Sequence, residues 1–441
     1  MRLNIAAAAL RPMRYRDFAV LWAAGLVSNV GTWMQTVAVG ALVISRTGQA
    51  SWVVLVAAGA FLPIGLLSPV GGALADRLPR RPVIAAGNVA AGAIAAVIAI
   101  LVAGGHDSPD ALLALVTLQG AVSALIGPFT QAILPDLVPR SEFLAASTLN
   151  NAQFNAGRIV GPALAGGTIA ALGYPATFVA NALSFLAVVV AVMFVRLSRP
   201  PGGSGSVLKS VWSGFAAARA EPSCRAAIIT IGVVAFVAAP FIALVPAMAL
   251  RLTHGGPAAV AAATAALTTS QGAGAVAGAL VLPPLAARFG RGRLLRWNVA
   301  LLPVVLAGYG VAPSLWWGVA ALFGVGLVYM GVLSGLSTTV QLHAPQEYRG
   351  RVLSFFLVAL GVAYPVGALL QGPLADAIGA SWTTIGAALT LALACALVAV
   401  WAPGFVRAMA GIPADEVARQ LAYSADPAGE PCGCSAGELA G

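Results

Sequence analysis

Charge is what this sequence has least of: 9% of its 441 residues are Asp, Glu, Lys or Arg, while 60% are hydrophobic. That balance excludes a soluble globule of this length, whose exterior would go unsolvated, so the apolar residues must face lipid. Histidine and cysteine are scarce too, with 3 and 4 residues. His106, His254 and His343 fall in predicted loops, and Cys432-Gly433-Cys434 lies in the tail with no histidine nearby. Neither metal-ligand spacing nor a disulfide framework is present. A phosphate-cradling Gly-x-x-x-x-Gly-Lys-Ser/Thr loop is missing, which argues against ATP hydrolysis within the chain. No His/Glu cluster or Ser/Lys pair falls inside an apolar run either. The sequence therefore offers no catalytic residue, no metal site and no cofactor, and it does not read as an enzyme.

What is present is a succession of long apolar runs, each near the roughly 20 residues that a helix needs to cross a bilayer core of about 30 Å. They cover 18–45, 51–75, 82–104, 111–134, 147–172 and 173–195, then 226–250, 258–287, 294–312, 314–342, 352–375 and 381–403. The runs are continuous rather than alternating, which argues for helices over a barrel. The expected fold is an all-α polytopic membrane protein with twelve transmembrane helices. Arg2, Arg11, Arg14 and Arg16 precede a first run too long for a signal-peptide core, so it reads as a retained helix. Between the sixth and seventh runs, Pro200-Pro201-Gly202-Gly203-Ser204-Gly205-Ser206 marks a linker, followed by Val207, Leu208, Val211, Trp212 and Phe215 at helical spacing. The resulting division is an N-terminal six-helix bundle over 1–196, a linker with an amphipathic segment over 197–222, a C-terminal bundle over 223–403 and a tail over 404–441.

Of the 24 Lys and Arg residues, 21 fall on one set of span ends, in both terminal segments and in the linker. The opposite ends hold only Arg46 and Arg251, and Arg158 lies inside a span. The positive-inside rule then makes both termini cytoplasmic in a multi-pass protein of the cell (plasma or inner) membrane. The net charge of +10 belongs to these loops, so nucleic acid is not an expected partner.

The halves echo each other. Leu74-Ala75-Asp76-Arg77-Leu78-Pro79-Arg80-Arg81 has a counterpart in Leu285-Ala286-Ala287-Arg288-Phe289-Gly290-Arg291-Gly292-Arg293, with Ala287 where the acid stood. Pro139-Arg140-Ser141-Glu142 and Pro345-Gln346-Glu347 also occupy corresponding loops, which favours duplication of a six-span unit.

These residues carry a family resemblance. Gly72, Leu74, Ala75, Asp76, Arg77, Arg80 and Arg81 resemble the loop motif between spans two and three of major facilitator superfamily transporters, with Pro79 where glycine is usual. In the fifth span, Gly157, Gly161, Pro162 and Gly166 resemble the Gly-Pro-x-x-Gly-Gly motif of proton-driven drug exporters, with Ala165 replacing one glycine. Together with Gly31-Thr32-Trp33-Met34-Gln35 and Ser147-Thr148-Leu149-Asn150, the pattern is most similar to the branch holding the bacterial enterobactin exporter. The resemblance implies two pseudo-symmetric six-helix bundles around a substrate path. It also implies that Asp136 bonds the motif arginine, that Gly72, Asp76, Arg77, Arg80, Arg81 and Asp136 form a conformational gate, and that Asp76 faces the start of the eleventh helix near Gly350 and Arg351. Asp76 and Arg80, four apart, would pair on one face if the second helix ran on by a turn. The bland alternative for the cluster is a solvated charge group that fixes topology.

Gly157 and Gly161 have the spacing of small-residue seams that let helices approach closely, as do Gly274 and Gly278, and Pro162 removes a backbone donor. Arg158 is the one cation deep in a span, so it is either a site for an anionic group or proton-linked partner, or a structural anchor to backbone or to Asn155. Asn29, Trp33, Gln35, Gln119, Asn155 and Asn181 are cavity candidates from the first half, and Tyr329, Tyr364 and Gln371 from the second. Each amide competes with an ordinary interhelical bond. All 14 acids sit at span ends, in loops or in the tail, so the proton counter-ion implied by the resemblance has only edge candidates such as Asp17 and Asp376. The expectation is a monomeric secondary active exporter of small amphipathic molecules, embedded in the lipid bilayer and exchanging a small-molecule substrate for protons. The alternatives are an importer or facilitator of a nutrient or siderophore, and a non-transporting scaffold or sensor.

Overall fold

The computed structural model describes residues 10–195, 216, 218–346 and 348–410. The amphipathic segment at Val207–Phe215 and the tail with Cys432 and Cys434 lie outside the described residues. All regular structure among the described residues is helical. In the first half the spans are α1 (Arg16–Thr47), α2 (Ala50–Ala75), α3 (Arg80–Ala103), α4 (Pro109–Ala132), α5 (Phe143–Leu172) and α6 (Tyr174–Phe194). In the second they are α7 (Pro222–Leu252), α8 (Pro257–Phe289), α9 (Arg291–Gly310), α10 (Leu315–His343), α11 (Arg349–Ile378) and α12 (Ala380–Trp401), followed by the short α13 (Pro403–Ala410). Successive spans run in opposite directions, so the starts of α1, α3, α5, α7, α9 and α11 share the face that carries most arginines. We call this the basic face.

Local chemistry sets the boundaries. Ser108 and Ser314 cap α4 and α10 by accepting from the backbone N–H groups of Ala111 and Trp317, both at 3.3 Å. Single glycines at positive φ, Gly290 (+86°) and Gly379 (+88°), turn the chain between antiparallel spans in one residue. The run read as continuous over 226–250 is interrupted: Val234–Ala238 forms a π-helical turn before Pro240, which has no N–H to continue the ladder. The Gln371 amide donates to the Val237 carbonyl at 2.9 Å, satisfying backbone that the wide turn loosens.

Ten of the twelve spans are long and apolar enough to cross a membrane by length and composition; α5 and α9 are not. The 30 residues of α5 include Asn150, Asn151, Gln153, Asn155 and Arg158, and the 20 of α9 begin with three arginines. Both still reach about 30 Å at ~1.5 Å per residue. The helix α5 lies between α1 and α8, so protein rather than lipid receives much of its polar face.

Pairing repeats between the halves. The helix α1 packs on α5 and α6, α2 on α4, and α3 on α4 and α6; likewise α7 packs on α11 and α12, α8 on α10, and α9 on α10 and α12. Glycine makes the tightest pairs possible. A Cβ at Gly120 of α4 would strike the Ala60 carbonyl of α2, and one at Gly326 of α10 would strike the Gln271 carbonyl of α8. The two bundles meet through α1, α2 and α5 on one side and α7, α8 and α11 on the other. A buried cluster runs across both, and its first-half members, from Ala38 through Val56 with Ile98, Leu112 and Phe178, lie toward the face opposite the arginines. A separate cluster of Phe18, Ala75, Ile84, Phe129, Leu137 and Val195 belongs to the first half alone, at the basic face.

Two glycines of α10 separate close packing from loose. Gly326→Ala places a methyl against backbone that cannot rotate away, and is expected to cost about 1–3 kcal/mol. Gly324→Ala, where a Cβ would meet only Val305 at 3.9 Å, is expected to be neutral or slightly stabilising. Thermal unfolding of the two purified variants side by side checks this; equal midpoints would refute it.

Candidate functional site

The turn at Gly71–Arg81 is tighter than the spacing suggested. The helix α2 stops at Ala75 with Asp76 as its cap, and α3 opens at Arg80 after Pro79. Asp76 and Arg80 therefore do not share a helical face, a correction to the sequence expectation. The reason is Pro79, which disfavours helical backbone at Leu78 and lacks a donor of its own. Arg80 turns instead to Asp136, in the short helical turn after α4, and their Nη1 and Oδ2 atoms are 2.7 Å apart. Both side chains are largely buried, and the Arg80 Nε atom is buried without a partner. Arg81 donates to the Val195 carbonyl at the end of α6. Asp76 and Arg77 are exposed, their side chains making no hydrogen bond or ion pair among the described residues, and a Cβ at Gly72 would meet nothing within 4 Å. Arg80, Arg81 and Asp136 thus tie α3 to the ends of α4 and α6.

The fifth-span glycines pack against two different partners. Cβ atoms at Gly157 and Gly161 would press on Asn29 and on Trp33 of α1, whereas one at Gly166 would meet Ala265 of α8, 2.9 Å away in the other half. Three side chains lace α1 to α5 beside this seam: Trp22 donates to the Leu149 carbonyl at 3.0 Å, Gln153 to that of Trp22 at 2.5 Å and Asn29 to that of Gln153 at 3.3 Å.

The amide candidates divide. Gln35, Gln119 and Asn181 are buried and bonded to one another: Gln35 Nε2 donates to Gln119 Oε1 at 2.6 Å, and Asn181 Nδ2 to Gln35 Oε1 at 2.7 Å. They join α1, α4 and α6, because buried amides without partners are costly in lipid. Asn155 bonds its own helix, at the Asn151 carbonyl. Tyr329 stacks edge-on with Phe241 at 6.3 Å, and Tyr364 meets Phe61 of the first half edge-on at 5.6 Å.

Arg158 does not bond Asn155. Its Nη2 reaches across to Gln271 Oε1 of α8 at 2.5 Å, and its guanidinium lies 5.8 Å from the centre of the Trp33 ring. Gln271 was not among the sequence candidates; a lone amide immediately before the small-residue run 272–278 of α8 is the signal that could have found it. A second unforeseen contact sits at the face opposite the arginines. Asp376, near the end of α11, accepts from the backbone N–H groups of Ala50 at 2.5 Å and Ser51 at 3.2 Å, capping the start of α2. Beside it Tyr174 donates to the Pro257 carbonyl at 3.0 Å. These hydrogen bonds join the two halves from mid-span to this face.

The family model for transmembrane secretion effectors matches residues 7–426. The chain belongs to that family of major facilitator transporters. Its relatives include the multidrug efflux pump Tap of Mycobacterium tuberculosis, 28% identical over 410 residues that cover 88% of this chain and 93% of Tap. The staphyloferrin A transporter of Staphylococcus aureus is 24% identical, over 79% of this chain and 87% of that one. Among solved structures, a bacterial homologue of the human lysosomal transporter Spinster, inward-facing and occupied, superposes with a TM-score of 0.72 at 15% identity, covering 92% of this chain and all of that one. That likeness shows the shared fold. The protein is a multi-pass membrane transporter with a small-molecule substrate.

Removing one partner of the Arg80–Asp136 pair tests its weight. Asp136→Asn leaves a largely buried guanidinium without its counter-charge and is expected to cost about 2 kcal/mol, with part recovered in the Arg80→Gln/Asp136→Asn double variant. Denaturant unfolding of the four proteins in one detergent reads the coupling; additive losses would show that the pair is not a unit.

Proposed function

We propose that the transporter exports small amphipathic molecules by alternating access and that the structure represents its inward-open form. The supporting observation is where these contacts between the halves lie: Asp376 with the start of α2, Tyr174 with Pro257 and Gly40 with Pro246 toward the face opposite the arginines, then Phe61 with Tyr364 and Arg158 with Gln271 at mid-span. Placing the basic face in the cytoplasm by the positive-inside rule makes the parted side cytoplasmic and both termini internal, in the cell membrane. The moving units are then 1–196 and 223–403, joined by 197–222, within a single chain acting as a monomer.

The helices α2 and α11 carry the switch in this reading. The same residue pattern closes each of them, Gly72-Ala73-Leu74-Ala75-Asp76 on α2 and Gly372-Pro373-Leu374-Ala375-Asp376 on α11. Asp376 caps the start of α2, where the helix dipole favours an anion. Exposed Asp76 stands ready for the start of α11 once the halves rock and the outer contact parts. One carboxylate holds each extreme, and protons drive the exchange through such gate carboxylates, since none lies at mid-span.

Asp376→Asn is expected to shift the population toward the outward-open form and Asp76→Asn toward the inward-open form, each by about 1 kcal/mol, or roughly fivefold. Spin-label distances across each face report the shift; unchanged distances in both variants would overturn the switch. Uptake of a compound panel into inside-out vesicles, with and without an imposed pH gradient, tests direction and coupling. Uptake of amphipathic compounds that needs an acidic lumen is expected, and accumulation only in right-side-out vesicles would favour the importer.

A further inference from the structure

Arg158 lies half-way along α5, where a bare charge is expensive. No described carboxylate pairs with it, unlike Arg14, Arg46 and Arg80, which meet Glu142, Asp107 and Asp136. Its one hydrogen bond goes to a neutral acceptor, Gln271 Oε1, and its Nε atom is buried without a partner. Gln271 is 3% exposed, and its own Nε2 atom is likewise buried and unpartnered. Two buried donors and one full charge converge here with no anion to meet them. On one side stands the Trp33 ring, with Phe154 edge-on to it at 5.9 Å; Tyr329 lies within electrostatic range of the guanidinium.

Resting on the exporter reading above, we propose that the cargo is an organic anion, a carboxylate on an apolar body, held between Arg158 and Gln271 with its body against Trp33. A carboxylate displaces the Gln271 oxygen from Arg158 and accepts from the freed Gln271 amide as well. A neutral acceptor is exchanged for an ionised one, so Arg158 meets an opposite charge and the Gln271 amide gains a bond to the same anion. Because α5 and α8 belong to different halves, the bound anion replaces a direct contact across the path with one that leaves with the cargo. A cationic cargo meets repulsion at the same place.

Binding of three matched probes, 2-naphthoate, 2-naphthamide and 2-naphthylmethylammonium, to the full chain in lipid nanodiscs tests this by calorimetry. Naphthoate is expected to bind about tenfold more tightly than the amide, with the ammonium weakest. Arg158→Gln should erase the naphthoate advantage, and Gln271→Leu should weaken naphthoate about fivefold with the amide unaffected. Should either variant fold poorly, the order of the three probes on the unmodified chain still decides. Equal affinities, a preferred ammonium or no naphthoate binding at millimolar concentration overturns the proposal. So does loss of the naphthoate preference in chloride, which would mark a site for a small inorganic ion. Vesicles that export neutral amphipaths while the probes show no anion preference would keep the exporter reading and discard this one.

Discussion

A charge or an unpaired amide inside a bilayer must find its partner within the chain, and this constraint arranges nearly everything else in the protein. Acids are kept to the ends of spans, and arginines gather at one face. The polar residues that do enter spans are turned toward other helices. The buried amides Gln35, Gln119 and Asn181 answer one another across α1, α4 and α6. Gln371 answers backbone loosened by the π turn of α7. Arg158, deep in a span, has a neutral partner and a spare donor in place of a counter-charge.

Close helix approach follows from the same solvent. Lipid provides no hydrophobic drive between apolar helices, so association depends on packing, and glycine lets backbone meet backbone. The α2–α4 and α8–α10 pairs are built this way in both halves, giving two stiff bundles. The halves meet through the α5–α8 and α2–α11 pairs. A carboxylate at one end of the α2–α11 pair is engaged and the one at the other end is idle. An arrangement of this kind suits exchange between two discrete states, the property that alternating access requires.

Much of this was legible in the residues. The run lengths located every span, since about 20 apolar residues have little choice in a membrane. The Gly72–Arg81 motif located a turn, and the acid at Asp136 was the right partner for Arg80. The turn itself was misjudged, because Pro79 ends one helix and admits the next where a run of i, i+4 charges reads as continuous helix. The polar α5 passed as a span only because its neighbours accept its amides, a matter of which helix lies beside it.

The sequence by itself determined that this chain lives in lipid, how many times it crosses and which face carries the arginines, because hydropathy and charge act locally along the chain. Only the tertiary structure decided who meets whom at long range. That Arg158 meets Gln271, 113 residues away, and that Asp376 caps α2 rather than facing solvent, depends on how the two bundles are set against each other. A side chain's spacing along its own helix shows which face it occupies, but the partner on that face is chosen by packing.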